Sequence, residues 1–205
     1  KVTFIQGMGE LLDPFTVRVR KAGGGEEVLR FEHLVIATGS APAIPPMLRL
    51  DDPRVMDSTA ALDLPDIPKS LLVVGGGYIG LELGTVYARL GSVVTVVEMT
   101  GGLLPGADRD LVDILARRVS QTMHAVLLKT RVTQLKPEAG GIRVTFDGDG
   151  VAPDAREQLF DRVLVAVGRR PNAMVPGLEK TRVHVDERGF IVVDEQMRTA
   201  EPSIF

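Results

Sequence analysis

Apolar positions change rhythm along the chain. Over residues 1–41 they fall in short β-like runs: VTFIQG, TVRVR and RFEHLVIATGS. The turn-formers Asp13-Pro14 and Gly23-Gly24-Gly25 separate these runs. The last run is apolar and closes on Gly39-Ser40, which predicts a buried strand meeting a loop. Residues 42–68 hold APAIPP, DDP and LPDIP, a proline density that predicts an extended crossing between domains. From residue 69 the pattern becomes strand, helix, strand. Leu71–Val74 predicts a short buried strand. Ile79, Leu83, Val86 and Leu90 predict one face of a helix, with Gly91 as its C-terminal stop. SVVTVVE predicts a second strand. Asp108 stands where a helix cap belongs, before Leu111, Leu115 and Val119 at helical spacing. AVLLK, RVTQL, IRVTF and DRVLVAVG predict further strands, and the tail HVDERGFIVVDEQMRTAEPSIF predicts a hairpin and a connecting segment. LVIATGS and VLVAVGR echo each other. Either two related nucleotide domains each contribute one, or any buried strand before a glycine turn has this form.

Composition narrows the chemistry. The 205 residues are 44% hydrophobic and 25% charged, with a formal net charge of -3. That balance suits an ordinary globular core and gives no basic field for nucleic acid or an anionic membrane. No apolar run reaches the roughly 18 residues of a membrane span. The opening KVTFIQ has no signal-peptide pattern, so the expected compartment is cytoplasmic. Cysteine is absent, which excludes disulfides, thiolate nucleophiles and thiolate metal sites within these residues. His33, His124 and His184 are far apart and lack metal-ligand spacing, so no metal site is expected.

The stretch LLVVGGGYIGLELG carries the sharpest signal. Gly75-x-Gly77-x-x-Gly80 follows a predicted strand and opens a predicted helix. The first glycine permits a tight turn, the second lets backbone approach a pyrophosphate, and the third lets helix and strand pack closely. The helix N-terminus offers free N–H groups to the phosphates. Glu98 ends the next strand, 23 residues after Gly75, where a carboxylate can accept both ribose hydroxyl protons. It would repel a 2′-phosphate, and MTGGLLPG after it holds no arginine, so the expected nucleotide is NAD rather than NADP. Glu82 either compensates the helix dipole or reaches the nicotinamide side. Tyr78 is either a lid over the nicotinamide pocket or a packed aromatic.

GGGYIGLELGTVYARLGSVVTVVEM, ATGSAP, VAVGRRPN and DEQMRTAEPSIF together resemble the flavoprotein disulfide reductases with two dinucleotide domains, and within them the dihydrolipoamide dehydrogenase family, the E3 component of 2-oxo acid dehydrogenase complexes. The likeness spans essentially all 205 residues. It implies an α/β fold: a Rossmann-like NAD-binding domain with a parallel sheet and a β-meander crossover, flanked by β-rich pieces of a truncated FAD domain. The implied layout is residues 1–41 as the later part of an FAD-domain segment, 42–68 as the crossing, 69–182 as the NAD domain, and 183–205 as a return toward the FAD domain. By resemblance, Gly75, Gly77, Ile79 and Gly80 cradle NAD pyrophosphate and Glu82 faces the nicotinamide ribose. Glu98 holds the adenosine ribose, Val132 lines the adenine pocket, and Gly168 closes over the dinucleotide. Tyr78 departs from the Ile or Val expected there and matches NADPH-using relatives instead. Gly9, Thr38, Gly39 and Ser40 match parts of a flavin site.

The resemblance also implies parts that this sequence does not contain. A redox-active cysteine pair and the first FAD glycine motif belong upstream of residue 1, and a catalytic His–Glu pair belongs downstream of EPSIF. The expectation is therefore a central portion of a larger enzyme, with no catalytic residue of its own. That enzyme would pass electrons from dihydrolipoamide through a disulfide and FAD to NAD. Its partners would be NAD(H), the lipoyl domain of an E2 acyltransferase and a second copy in a homodimer. The isolated portion would bind NAD(H) without turnover, retain FAD poorly, show exposed strand edges or disorder within its first 40 residues, and be a monomer or weak oligomer. Three rivals stand beside this reading. A short-chain dehydrogenase would place lysine four residues after its tyrosine, but Tyr78 is followed by Glu82 and Tyr87 by Gly91. A non-catalytic NAD-sensing module would not need VAVGRRPN and ATGS. A sibling flavoprotein, such as mercuric or glutathione reductase or an NADH oxidase, would share most motifs.

Overall fold

The computed structural model describes residues 1–64 and 66–205 and divides into two compact units, residues 1–41 with 170–205 and residues 42–169. In the first unit, β1 (Gly7–Asp13), β2 (Thr16–Lys21) and β3 (Glu26–Arg30) form an antiparallel meander. Its core is small: Leu11, Leu178, Val183 and Ile204, flanked by Leu34 and Ile36. The predicted strand at VTFIQG is not formed, and pairing begins at Gly7. The run RFEHLVIATGS is likewise not a single strand, because β3 ends at Arg30. Residues 34–36 instead pair in parallel with the tail, through Leu34 N–H to Ser203 O at 2.8 Å and Ile36 N–H to Phe205 O at 2.7 Å. Val35 between them is exposed, so this apolar run has one buried face rather than two. The tail hairpin forms as predicted, with Val185 opposite Ile191.

β4 (Ser40–Pro42) leads into the second unit. The proline-dense stretch is part of that unit's core, not a free crossing. Ile44, Leu48, Leu50 and Val55 pack into one hydrophobic cluster, and Met56 and Ala61 into another. β5 (Val55–Met56) joins the sheet, and α1 (Ser58–Leu62) is capped by Asp57, whose carboxylate accepts the N–H groups of Thr59 and Ala60. Pro65 of LPDIP lies outside the described residues.

The second unit has three layers. β6 (Ser70–Val74), α2 (Tyr78–Arg89), β7 (Val93–Val97), α3 (Arg109–Thr122) and β8 (Ala125–Leu127) run as alternating strand and helix. β9 (Thr130–Glu138), β10 (Gly141–Gly148) and β11 (Glu157–Phe160) form an antiparallel meander, and β12 (Arg162–Val165) returns to the parallel sheet. The sheet order is β5-β12-β6-β7-β8, all parallel. Side chains alternate across it with the period of two that strands impose. Leu71, Val73, Val94, Val96 and Leu164 meet the helices, whereas Leu72, Val74, Val97, Val163 and Val165 meet the meander through Val132, Ile142, Val144, Phe146 and Phe160. With both faces covered, the strands read as continuous apolar runs. β13 (Arg169–Pro171) leads out of the unit, so the chain leaves at 169/170 and not near 182.

α2 buries a different face from the one its large apolar residues predict, whereas α3 buries Val119 and packs Leu115 as predicted. α2 buries Gly80, Leu81, Gly84 and Tyr87, while Val86 and Leu90 are exposed. Two glycines let the helix sit close to the sheet: a side-chain carbon at Gly84 would lie 3.3 Å from Val73 Cγ2. α3 buries Val112 and Val119 and leaves Leu111 exposed. Gly91, at φ +110°, ends α2 as expected.

Candidate functional site

Where β6 and β7 end beside the N-terminus of α2, the second unit holds a largely apolar cavity of about 690 Å³. It lies outside the carboxyl ends of parallel strands, the usual ligand position in open α/β sheets. Of the predicted nucleotide residues, Gly75, Gly77, Tyr78, Ile79, Glu98, Val132 and Gly168 line it. Gly80 is buried and does not line it. Glu82 is exposed on α2 and does not line the cavity.

The three cradle glycines have three different reasons. Gly75 has φ +112°, its N–H donates to Val97 O at 2.8 Å, and a side chain there would come within 2.5 Å of Ala166 O. A side chain at Gly80 would collide with Gly75 O. Gly77 is unlike both. Its φ of -78° suits any residue, and no atom lies within 4 Å of where its side chain would be. Nothing in the chain itself requires glycine there, and a side chain would project into open space. Gly168 also faces open space, at φ +150°. The first helical bond of α2 is Leu81 N–H to Gly77 O, and no side chain caps the helix. The N–H groups of Tyr78, Ile79 and Gly80 are therefore unclaimed by the helix ladder.

Glu98 is buried at 7% exposure although its side chain is polar. Gly76 N–H donates to its Oε2 and Thr100 N–H to its Oε1, each at 2.8 Å. Both carboxylate oxygens are thus held while retaining lone pairs for further donors. Tyr78 is 63% exposed on the cavity wall, so it is not a core aromatic. Val132 is buried on β9, between the exposed Arg131 and Thr133.

The structure adds wall residues that the sequence reading missed. Pro45, Met47 and Leu48 come from the proline-dense stretch, Pro105 from the loop after Glu98, and Arg131 and Arg169 from β9 and β13. Arg131 is bidentate to Asp147 Oδ2, at 2.7 and 3.1 Å. No sequence signal announced Arg131 or Met47, since strand alternation would place Arg131 on the face opposite Val132.

In the first unit the proposed flavin residues have two separate sets of partners. Gly9 pairs with Val19 across β1 and β2. Thr38 Oγ1 donates to Asn172 O at 2.7 Å, Asn172 Nδ2 donates to Thr38 O at 3.0 Å, and Asn172 N–H donates to Gly39 O. Among the described residues no cluster of three or more acidic, His or Cys side chains could hold a metal ion, and no helix is long and apolar enough to cross a membrane.

Comparison with known proteins gives a consistent result. The family described as pyridine nucleotide-disulphide oxidoreductase matches residues 1–205. A dihydrolipoyl dehydrogenase of Vibrio cholerae is 43% identical over all of this chain, which spans 42% of that relative's length. Among solved structures, the HOCl-induced flavoprotein disulfide reductase RclA from Escherichia coli, as a Cu(II) complex, aligns at TM-score 0.80 and 30% identity over 97% of this chain and 44% of its own. LpdA from Mycobacterium tuberculosis aligns at TM-score 0.82 and 27% identity, over 97% of this chain and 43% of its own.

Proposed function

The chain belongs to the pyridine nucleotide-disulphide oxidoreductase family, and from that premise we propose that it is the NAD(H)-binding portion of an FAD-dependent dihydrolipoyl dehydrogenase. The observation that carries the NAD reading is Gly77: a glycine with ordinary backbone angles and empty space above it, at the mouth of a helix with unclaimed N–H groups. Backbone donors and the positive helix end there would suit a pyrophosphate. Glu98 is fixed at the cavity edge to accept ribose hydroxyls and to disfavour a 2′-phosphate. Val132 supplies an apolar surface for adenine, and Gly168 leaves room for the dinucleotide across β12. Tyr78 is the lid reading of its two alternatives, because its ring is exposed on the cavity wall.

When bound, NAD supplies a nicotinamide that accepts a hydride, and this chain's residues bind and orient it. The chain has no cysteine, so the thiols of the family's disulfide chemistry are not among its residues. It therefore binds NAD(H) without turnover. In the first unit, Thr38, Gly39 and Ser40, with Gly9, are proposed to serve the flavin. In the whole enzyme the partners are a lipoyl domain and a second copy. The supporting likeness is the 43% identity to a dihydrolipoyl dehydrogenase across the full chain.

Calorimetric titration of the chain with NADH, and separately with NADPH, tests this reading. NADH binding with clear preference is expected. Preference for NADPH would overturn the assignment of Glu98 as selector, and binding of neither would overturn autonomous NAD(H) binding.

A further inference from the structure

We propose that Arg109 is a positioning residue for the nucleotide cavity, acting through the loop of residues 99–107. The inference rests on the NAD(H) reading for its consequence, though not for its geometry. Arg109 opens α3, and its guanidinium makes four hydrogen bonds to carbonyls of that loop. Nε donates to Ala107 O at 3.0 Å and Nη1 to Leu103 O at 3.0 Å. Nη2 donates to Leu104 O at 2.6 Å and to Ala107 O at 2.8 Å. Gly102 leaves room for the fork, since a side-chain carbon there would lie 3.1 Å from Nη1.

At its Glu98 end the loop is tied by Thr100 to Glu98, Gly102 and Lys129, but its outer part has few side-chain anchors. Met99, Gly101, Pro105, Gly106 and Ala107 are exposed. Leu104 nevertheless holds φ +47°, a left-handed conformation that a branched side chain adopts only when its surroundings impose it. Arg109 binds the Leu104 carbonyl, and the Leu104 N–H donates to Gly76 O at 2.9 Å. Leu103, 3% exposed, seats its Cδ2 only 2.7 Å from where a side chain at Gly76 would be. The same Gly76 donates its N–H to Glu98. One guanidinium is thereby linked, through two loop residues, to the central backbone of the cradle and to the ribose carboxylate. Lysine cannot reproduce this, because its three donors radiate from a single nitrogen and cannot span three carbonyls as a planar fork does.

The test compares the chain with Arg109→Lys, Arg109→Met and Gly102→Ala, the last crowding Nη1 while keeping Arg109. Hydrogen exchange of the Leu104 and Thr100 amides is measured alongside calorimetric titration with NADH, and thermal melts confirm folding. Faster Leu104 exchange in both Arg109 variants is expected, with NADH binding weakened about tenfold, the scale of one rotamer-rich segment left unordered before binding. Gly102→Ala should move in the same direction. If Arg109→Lys binds NADH as the parent does, charge rather than the fork is responsible and the proposal fails. Unchanged Leu104 exchange in Arg109→Met also overturns it. A parent chain that does not bind NADH defeats the nucleotide reading instead, and exchange at Leu104 still decides whether Arg109 holds the loop.

Discussion

Gly76 N–H donates to Glu98 Oε2 at 2.8 Å, joining the middle of the glycine cradle to a carboxylate 22 residues later. Glu98 thus holds the turn, and under the proposed NAD(H) reading the same carboxylate also meets the ribose. Glu98→Ala should leave the Gly76 and Thr100 N–H groups without their partner and cost about 1–3 kcal/mol of stability. It should also move the NADH-to-NADPH affinity ratio toward one. Glu98→Gln keeps one amide oxygen as an acceptor and should lose less stability. Chemical denaturation and paired titrations would separate the two duties; a Glu98→Ala chain with unaltered preference would remove it as selector.

Gly77 and Gly80 predict opposite outcomes for the same substitution. Gly80→Ala drives a carbon into Gly75 O and should cost about 2 kcal/mol or more, because neither α2 nor the β6 turn can retreat without opening the core. Gly77→Ala meets nothing within 4 Å and should leave the unfolding midpoint unchanged while sharply weakening NADH binding. A Gly77→Ala chain that bound NADH normally would mean that the open space is not where the pyrophosphate lies.

Tyr78 is exposed at the cavity wall, so Tyr78→Ala should alter stability by no more than about 0.5 kcal/mol. If the ring covers the nicotinamide end, NADH should leave the variant faster while arriving at a similar rate. Stopped-flow fluorescence with NADH resolves both rates, and an unchanged dissociation rate would return Tyr78 to the status of a solvated aromatic.

The parallel sheet was legible because its strands are buried on both faces, and residues such as Leu71 to Val74 announce that with an unbroken apolar run. The cradle was legible for a related reason: its glycines stand at a strand-to-helix junction. The face of α3 was legible in Leu115 and Val119, but that of α2 was not, because its large apolar residues do not mark it. In α2 the contact surface is made by Gly80 and Gly84, where the absence of a side chain is the packing feature. The 42–68 stretch was misread because proline content reports local extension, whereas Leu48, Met56 and Ala61 report burial. LVIATGS and VLVAVGR look alike in sequence, yet only the second lies in the five-stranded parallel sheet; the first pairs with residues 203–205 and, at its glycine end, accepts the Asn172 N–H. Arg109 left no local signal, since its partners are backbone carbonyls.

Acid should loosen the first unit through Glu10. The Arg18 hydrogen bond, aided by Arg20 and Lys180, lowers its carboxyl from 4.5 to about 2 against the opposing effect of burial. A carboxyl depressed in the folded state contributes stability that is fully present above its unfolded value and lost as pH falls toward the folded one. The window is therefore from about 4.5 down to about 2. Asp52, lowered from 3.8 to about 2 chiefly by its hydrogen bond to Arg54, adds the same sign in the second unit between those two values. Glu10→Gln should be less stable than the parent at pH 7, and the gap should close as pH falls through that window. Midpoints of urea unfolding at pH 7, 4 and 3 check this. A gap that stayed constant with pH would mean that Glu10 stabilises the fold through shape and hydrogen bonding and not through its charge. A gap that closed only in Glu10→Gln, and not in an Asp52→Asn chain, would confine the acid response to the first unit, where Glu10 gathers three cations around one carboxylate.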